Sequence, residues 1–531
     1  MFHIVTADEA IGLIRDGDRI GINSFLALSN PETLHDALTR KVRKGAGPRH
    51  LKLFCAAGFG AWDASRFAEP YVAAGAVDEV VAGHFGSMPE VTRLAAEGGI
   101  EAYNLPLGVL SHAIRAAAAG QVGLLSEVGL NLFVDPRVGT PALNSVSERE
   151  LVSLVTVAGR EYLFYEAPKL DVAFIKGTTV DPNGNITFEK EYLTVDALAL
   201  AQAVKANGGK VVVQVDRVSH MFSRPRNVIV PGILVDAVVV DERREERERV
   251  GLGDYNPTLS GDIHVPASHM DYYMGRLTAA GRMSGRSGGD RSAEIIGERA
   301  ARELAPGQIV NIGIGIPEMA GTYASKLGIL KDIVTTVEAG GIGGLPAPGG
   351  AFGATIGADM IIDMASQFDY YDGGGLDICF LGGLEADRHG NVNAHRLRDK
   401  FIGIGGFANI TNRTKIIVFC LTFTAKGLAA EWEAAPGYAD EAGAAGGAGY
   451  AGGTGGTRKV LIRSEGRIPK FRDKIGAISF SAKNALQKGQ RVLYITERCV
   501  FELTPGGLRL AEVYGGIDRR TQIDPFLNFP V

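Results

Sequence analysis

The chain states one α/β pattern twice, and that repetition constrains its fold more than any other feature. The segment DGDRIGINSFLALSNPE, residues 16 to 32, is answered far downstream by APGQIVNIGIGIPE, residues 305 to 318. A second pair follows in the same order: VDPNGNITFEK (180 to 190) and ADRHGNVNAHR (386 to 396). Two ordered matches predict two related halves. Between them lies MGRLTAAGRMSGRSGGDRSA, residues 274 to 293, a polar stretch rich in small residues and glycine. The expected division is an N-terminal domain over 1–275, a linker over 276–293 and a C-terminal domain over 294–531.

Within each half, strand-like runs alternate with helix-like ones. RIGINSF (19 to 25) precedes NPETLHDALTRKV, where Asn30 is expected to cap a helix and Pro31 to occupy its first position. LKLFCAAG, VDEVVAGHF and IEAYNLP read as strands, and SMPEVTRLAAE and GVLSHAIRAAAA as helices. This alternation predicts an α/β fold with mainly parallel sheets. Ligands in such folds collect beyond the carboxyl ends of the strands, so an active site between the halves is expected.

A net charge of −5, with acidic and basic residues interspersed, argues against nucleic-acid binding. The run REERER at 243 to 248 mixes both signs and reads as a solvated face. Four widely spaced cysteines without a CxxC pair suit a reducing compartment, three of them (Cys379, Cys420, Cys499) within apolar runs. The start, MFHIVTADEA, lacks the basic and apolar regions of a signal peptide. No stretch approaches the ~20 apolar residues of a membrane helix, so a soluble, cytoplasmic protein without membrane or nucleic-acid partners is expected. Part of the unusual glycine content, 71 residues, falls in AAPGYADEAGAAGGAGYAGGTGGT (434 to 457), expected to be a flexible surface loop. The other glycines mark strand-to-loop junctions.

The most informative junction is TTVEAGGIGG, residues 335 to 344. A short β-branched run, Ile333 to Val337, reads as a strand leading into Glu338, and Gly340, Gly341, Gly343 and Gly344 follow. A carboxylate so framed serves as base, metal ligand or nucleophile. As a nucleophile on a carbonyl it creates an oxyanion, which calls for backbone N–H donors. KFIGIGGFANIT offers them, with Gly403, Gly405 and Gly406 permitting close approach; its bland alternative is a plain turn. GIGIPE (313 to 318) lacks the third glycine of a dinucleotide loop and places Glu318 there, which would repel a pyrophosphate. The ten histidines show no metal spacing, and neither GxSxG nor a P-loop is present, so a metal site, a serine hydrolase and an NTPase are not expected.

VEAGGIGGLPAPGGAFGA, YYDGGGLDICFLGGLEADRHGNVNAHR and FIGIGGFANITNRTKIIVFCLTFTAKG together resemble the class I coenzyme A transferases. The likeness is greatest to single-chain acetate/propionate CoA-transferases, in which α-like and β-like parts are fused. LFVDPRVGT, GREYLFY, NGNITFEKEY, VVVQVDRV and YITERCVFEL extend it through nearly the whole chain. The resemblance implies that Glu338 is a nucleophile that becomes a glutamyl-CoA thioester. It also implies CoA contacts from Gly313, Ile314, Gly315, Ile316 and Pro317, with Gly403 nearby, and an oxyanion amide from Gly405 or Gly406. The implied substrates are a short-chain acyl-CoA and a free carboxylic acid, with no metal or separate cofactor, in a homo-oligomer (dimer or tetramer). An acyl-CoA hydrolase using the same Glu338 and a non-catalytic acyl-CoA-binding protein are the alternatives. Two departures stand out. The first-half loop, GGFVGxGxPE in the family, is NSFLALSNPE here, with Asn23, Ser24 and Ser29 in place of glycines. The family's glutamine, whose amide is associated with the oxyanion or acyl group, is Leu107. Leu107 and Ser24 are therefore the expected substrate-facing positions, and a more apolar acyl pocket is expected.

Overall fold

The computed structural model describes residues 2–241, 255–270, 272–273, 290–398, 400–433 and 459–531. The charged run at 243–248, the insert at 434–457 and residues 276–289 of the expected linker lie outside them. The last residues of that linker already belong to the second half, because helix Ser292–Ala301 starts there.

The first half is built on an eight-stranded sheet. Its spatial order is His3–Ile4, Ala237–Val240, Lys210–Val215, Val172–Lys176, Arg19–Ile22, Leu51–Cys55, Val77–Ala82, Glu101–Asn104. Every neighbouring pair is parallel. Such a sheet is covered on both faces, so its strands are continuous apolar runs such as Val172–Lys176. The second half has a nine-stranded sheet whose centre repeats the same order. Val334–Thr336, Ile309–Ile312, Ile378–Gly382, Ile416–Cys420 and Arg491–Ile495 run parallel. Gly341–Ile342, Met360–Ile361, Cys499–Thr504 and Gly507–Val513 extend its edges antiparallel.

The echoed motifs occupy equivalent places. Arg19–Ile22 and Ile309–Ile312 each sit where the strand order reverses, the point at which α/β sheets open a crevice. Each leads through a loop to a helix opened by Pro-Glu, Glu32–Arg43 and Glu318–Lys326. Two residues before each proline the backbone turns left-handed, at Ser29 (φ 59°) and Gly315 (φ 90°). The second pair also matches in its bonds. Asp181 accepts from the Asn183 and Asn185 amides at 2.9 and 3.0 Å, and Asp387 from those of His389 and Asn391 at 3.0 and 2.9 Å. Asn30 departs from its expected role: Pro31 takes the cap position, while Asn30 donates from Nδ2 to Leu26 O at 2.7 Å and braces the loop instead.

The halves are joined by main chain. Residues 402–406 of the second half lie against residues 83–86 and 104–107 of the first. Phe85 and Gly86 both donate to Ile402 O at 2.8 Å, Gly405 donates to Gly83 O at 2.8 Å, and Leu107 donates to Gly405 O at 2.9 Å. Buried Asn104 closes the seam: its Oδ1 accepts from Ile404 N at 2.9 Å, and its Nδ2 donates to Ala82 O and Gly83 O at 2.9 and 2.7 Å. The approach is so close that a Cβ on Gly403 would lie 2.6 Å from His84 Cα.

Asn104→Ala should therefore strand one buried N–H, that of Ile404, across the seam and weaken the contact by about 1–3 kcal/mol. Denaturant unfolding would show the loss.

Candidate active site

Glu338 stands at the tip of a tight hairpin. Val334–Thr336 runs up to it, Gly340 N–H closes a turn onto Val337 O at 2.9 Å, and Gly341–Ile342 returns antiparallel. Gly340 holds φ 113°, a conformation side-chain-bearing residues rarely adopt. The flanking glycines serve packing rather than substrate access. A Cβ on Gly340 would meet Ile362 O at 2.0 Å, and one on Gly341 would meet Thr355 Oγ1 at 2.0 Å. The bare backbone over the carboxylate comes from elsewhere in the chain: a Cβ on Gly406 would sit 2.2 Å from Glu338 Oε2.

A cavity of about 340 Å³ opens over this carboxylate. Its walls come from both halves, and most are loops that follow the carboxyl ends of strands. Phe25, Leu26, Ala57, Trp62, His84 and Leu107 form the first-half wall. Opposite them lie Gly313, Ile314, Phe352, the run Gly382–Leu384 and Gly403–Phe407. The exposed lining is mostly apolar carbon. Glu338 makes no hydrogen bond or ion pair with any described residue. Burial alone acts on it and pushes its pKa up to about 7. The carboxylate is thus poised near neutrality and unencumbered, as a nucleophile requires.

The amides of the 403–406 turn have different fates. Gly403 donates to His395 O at 3.0 Å and Gly405 to Gly83 O, so neither is free. Gly406 N–H has no partner among the described residues. Of the two oxyanion donors expected, Gly406 is available and Gly405 is committed to the seam.

The remaining expected residues divide similarly. Gly313 and Ile314 line the cavity, whereas Gly315, Ile316 and Pro317 continue behind the wall toward helix Glu318–Lys326. Gly315 N–H is held by Glu318 Oε1 at 3.0 Å. Leu107 lines the cavity as the first residue of helix Leu107–Ala118. Ser24 does not: it is buried, with its hydroxyl donating to Gly58 O at 3.0 Å, and its neighbours Phe25 and Leu26 form the wall. The structure places the Ser24 hydroxyl against Cys55 and Gly58 rather than in the cavity wall. Leu26 holds φ 52°, so the loop keeps a glycine-like path while presenting a leucine side chain.

Sequence reading missed Trp62, His84, Phe352 and Asn311 as wall residues. His84 lies inside the stretch VDEVVAGHF, read as a strand throughout, whereas the strand ends at Ala82 and leaves His84 in the loop after it; Gly83 was the available signal for that end. Asn311 lies inside a strand, and nothing local marks it.

Comparison with known proteins places this geometry in context. Residues 4–241 and 293–410 match the family model described as coenzyme A transferase. The chain is 37% identical over 528 residues to the acetate CoA-transferase YdiF of Escherichia coli K12, covering 99% of this chain and 92% of that protein. It is 35% identical over 535 residues to the caffeate CoA-transferase of Acetobacterium woodii, covering 100% and 94%. The crystal structure of the acyl-CoA transferase YdiF apoenzyme from Escherichia coli O157:H7 superposes with a TM-score of 0.86 at 36% identity, covering 100% of this chain and 93% of that one. A structure of YdiF as a thioester complex with CoA matches at the same TM-score of 0.86.

The raised pKa of Glu338 has two measurable consequences. A carboxylate attacks only when ionised, so a single-turnover rate that depends on nucleophilic attack by Glu338 should rise with pH through about 7 and level off above. Because the folded pKa exceeds the usual 4.5, ionisation costs the folded state nothing below pH 4.5 and most above pH 7. Glu338→Gln should therefore gain melting temperature over the parent as pH rises across that window. Gly406→Ala should abolish turnover without unfolding the chain, since its methyl would displace the carboxylate.

Proposed function

The chain belongs to the coenzyme A transferase family, enzymes that move coenzyme A between an acyl-CoA and a free carboxylic acid, and from that premise we propose that Glu338 carries the CoA as a thioester between the two half-reactions. The observation that carries the reading is an unpaired carboxylate at the floor of a largely apolar cavity, with one free backbone donor, Gly406 N–H, beside it.

The steps follow from that arrangement. A Glu338 oxygen attacks the thioester carbonyl carbon, and the carbonyl electron pair moves onto oxygen, where Gly406 N–H stabilises it. The carbonyl re-forms, the C–S bond breaks and CoA thiolate leaves a mixed anhydride. The thiolate attacks the Glu338 side-chain carbonyl, expels the product carboxylate and leaves the enzyme–CoA thioester. A second carboxylate runs these steps in reverse. Each stage conserves an activated acyl bond, so the scheme requires neither nucleotide nor metal.

Apolar surface on the first-half wall suits the acyl group, and Gly313, Ile314 and Gly382–Leu384 opposite suit the pantetheine arm. Leu107 removes a polar contact from the acyl side, so groups larger than acetyl are the preferred substrates. Four buried free thiols suit a reducing compartment, and the reaction is accordingly assigned to the cytoplasm.

Incubation with propionyl-CoA and no acceptor acid should leave CoA on Glu338, visible by intact mass and reducible by borohydride. Glu338→Gln should form no adduct while keeping its fold. Initial rates with two substrates should give parallel double-reciprocal lines, because the first carboxylate leaves before the second binds. Intersecting lines, or steady release of free CoA with no adduct, would replace this scheme by direct transfer or hydrolysis.

A further inference from the structure

Three side chains with polar atoms in the cavity wall have no task in the scheme above: Trp62, which is 46% exposed and open to solvent, and the more enclosed Asn311 and His84. Asn311 donates from Nδ2 to Thr336 O and to the Tyr371 hydroxyl, both at 3.3 Å. Its unpartnered atom is the carbonyl Oδ1, which accepts and cannot stabilise developing negative charge. His84 differs, because an imidazole always carries at least one N–H.

The place of His84 in the fold is tightly determined. It follows strand Val77–Ala82, and its backbone N–H donates to Ala57 O at 2.7 Å. Its Cα is seated on Gly403, and the preceding residue, Gly83, accepts from Gly405. Gly83 also abuts Leu107: a Cβ at position 83 would lie 3.1 Å from Leu107 Cβ. His84 therefore sits on the same seam that carries Gly406 over Glu338, next to the residue that lacks the family's amide.

The ring is unengaged. Nε2 is enclosed by protein and has no partner among the described residues. Nδ1 makes no hydrogen bond to them either, and it is the ring nitrogen left with access to open space. A buried N–H without an acceptor is costlier than a bare lone pair, so the proton belongs on Nδ1. Burial lowers the pKa to about 4, which keeps the ring neutral at ordinary pH. An unsatisfied donor at the wall of a reaction cavity calls for an acceptor that arrives with the substrate.

We propose that His84 donates from Nδ1–H to the acyl oxygen of the bound thioester, supplying the hydrogen bond that Leu107 cannot, so that His84 and Gly406 N–H together hold the oxyanion. The inference rests on Glu338 as nucleophile. The proton stays on His84 throughout. As the Glu338 oxygen–carbon bond forms, the carbonyl electron pair becomes the oxyanion lone pair that both donors face. When the C–S bond breaks that pair returns to the carbonyl, and thiolate carries away the electrons of the broken bond.

Rapid-quench mass spectrometry of thioester formation from propionyl-CoA, with calorimetric CoA binding alongside, tests this. His84→Ala should slow thioester formation by about 10²–10³-fold and leave the CoA Kd unchanged. His84→Asn, whose amide nitrogen stands near the position of Nδ1, should recover most of the rate. Leu107→Gln should speed the His84→Ala enzyme by at least about tenfold, because the added amide supplies the donor that the alanine removed. If the alanine variant does not fold, His84→Leu, which keeps the bulk without a donor, carries the same expectation. Thioester formation by the Ala or Leu variant at close to the parental rate overturns the role of His84 alone. A parent enzyme that forms no thioester overturns the Glu338 reading and this one together.

Discussion

The active site depends on one seam, where the main chain at 402–406 is hydrogen-bonded to the main chain at 83–86 and 104–107. Backbone contacts of this kind leave little room for adjustment, because each bond is fixed by peptide geometry rather than by a flexible side chain. Gly403 and Gly405 are spent on making the seam, and that arrangement leaves Gly406 pressed against Glu338 with its amide unpaired among the described residues. Glu338 comes from one hairpin, the amide beside it from a loop more than sixty residues away, and the surface that fixes that amide from the other half of the chain. Neither half contains a complete site.

Electrostatics explain why Glu338 is left alone. A paired arginine or lysine would relieve the cost of burying the carboxylate, but it would also lower its basicity and draw charge from the attacking oxygen. The chain instead leaves the carboxylate unpaired and raises its pKa toward neutrality by desolvation. The cost is carried by apolar cores that run through both halves and continue across the seam. His84 fits the same logic, an unsatisfied polar group held where substrate supplies its partner.

The two halves share a fold and differ at the site. Both halves keep the strand at the switch point, the left-handed residue before Pro-Glu and the aspartate-bound turn. The second half kept the glycine loop that opens the cavity at Gly313. The first half replaced glycines with NSFLALS, which holds its path through Ser29, Leu26 and the Asn30 brace, and presents Phe25 and Leu26 as wall.

Much of this was legible in the sequence. Local patterns decide local structure, so the alternation of strands and helices, the two halves and the strand–Glu338–glycine junction could be read directly, since each rests on residues adjacent in the chain. The resemblance to the coenzyme A transferases likewise rested on ordered local motifs. What sequence reading missed were relations between distant residues. It read the glycines after Glu338 as the frame of a carboxylate, but did not show that their missing side chains make room for Ile362 and Thr355. It could not separate Gly405 from Gly406, because the distinction lies in a hydrogen bond to Gly83, more than three hundred residues earlier. Ser24 and Phe25 are consecutive, yet only the direction each side chain takes from the sheet decides which one meets the cavity. His84 showed no motif at all. Its significance comes from a neighbourhood of Ala57, Gly403 and Leu107 that exists only after the halves close, because packing and hydrogen-bond satisfaction depend on three-dimensional proximity that no window of the chain contains.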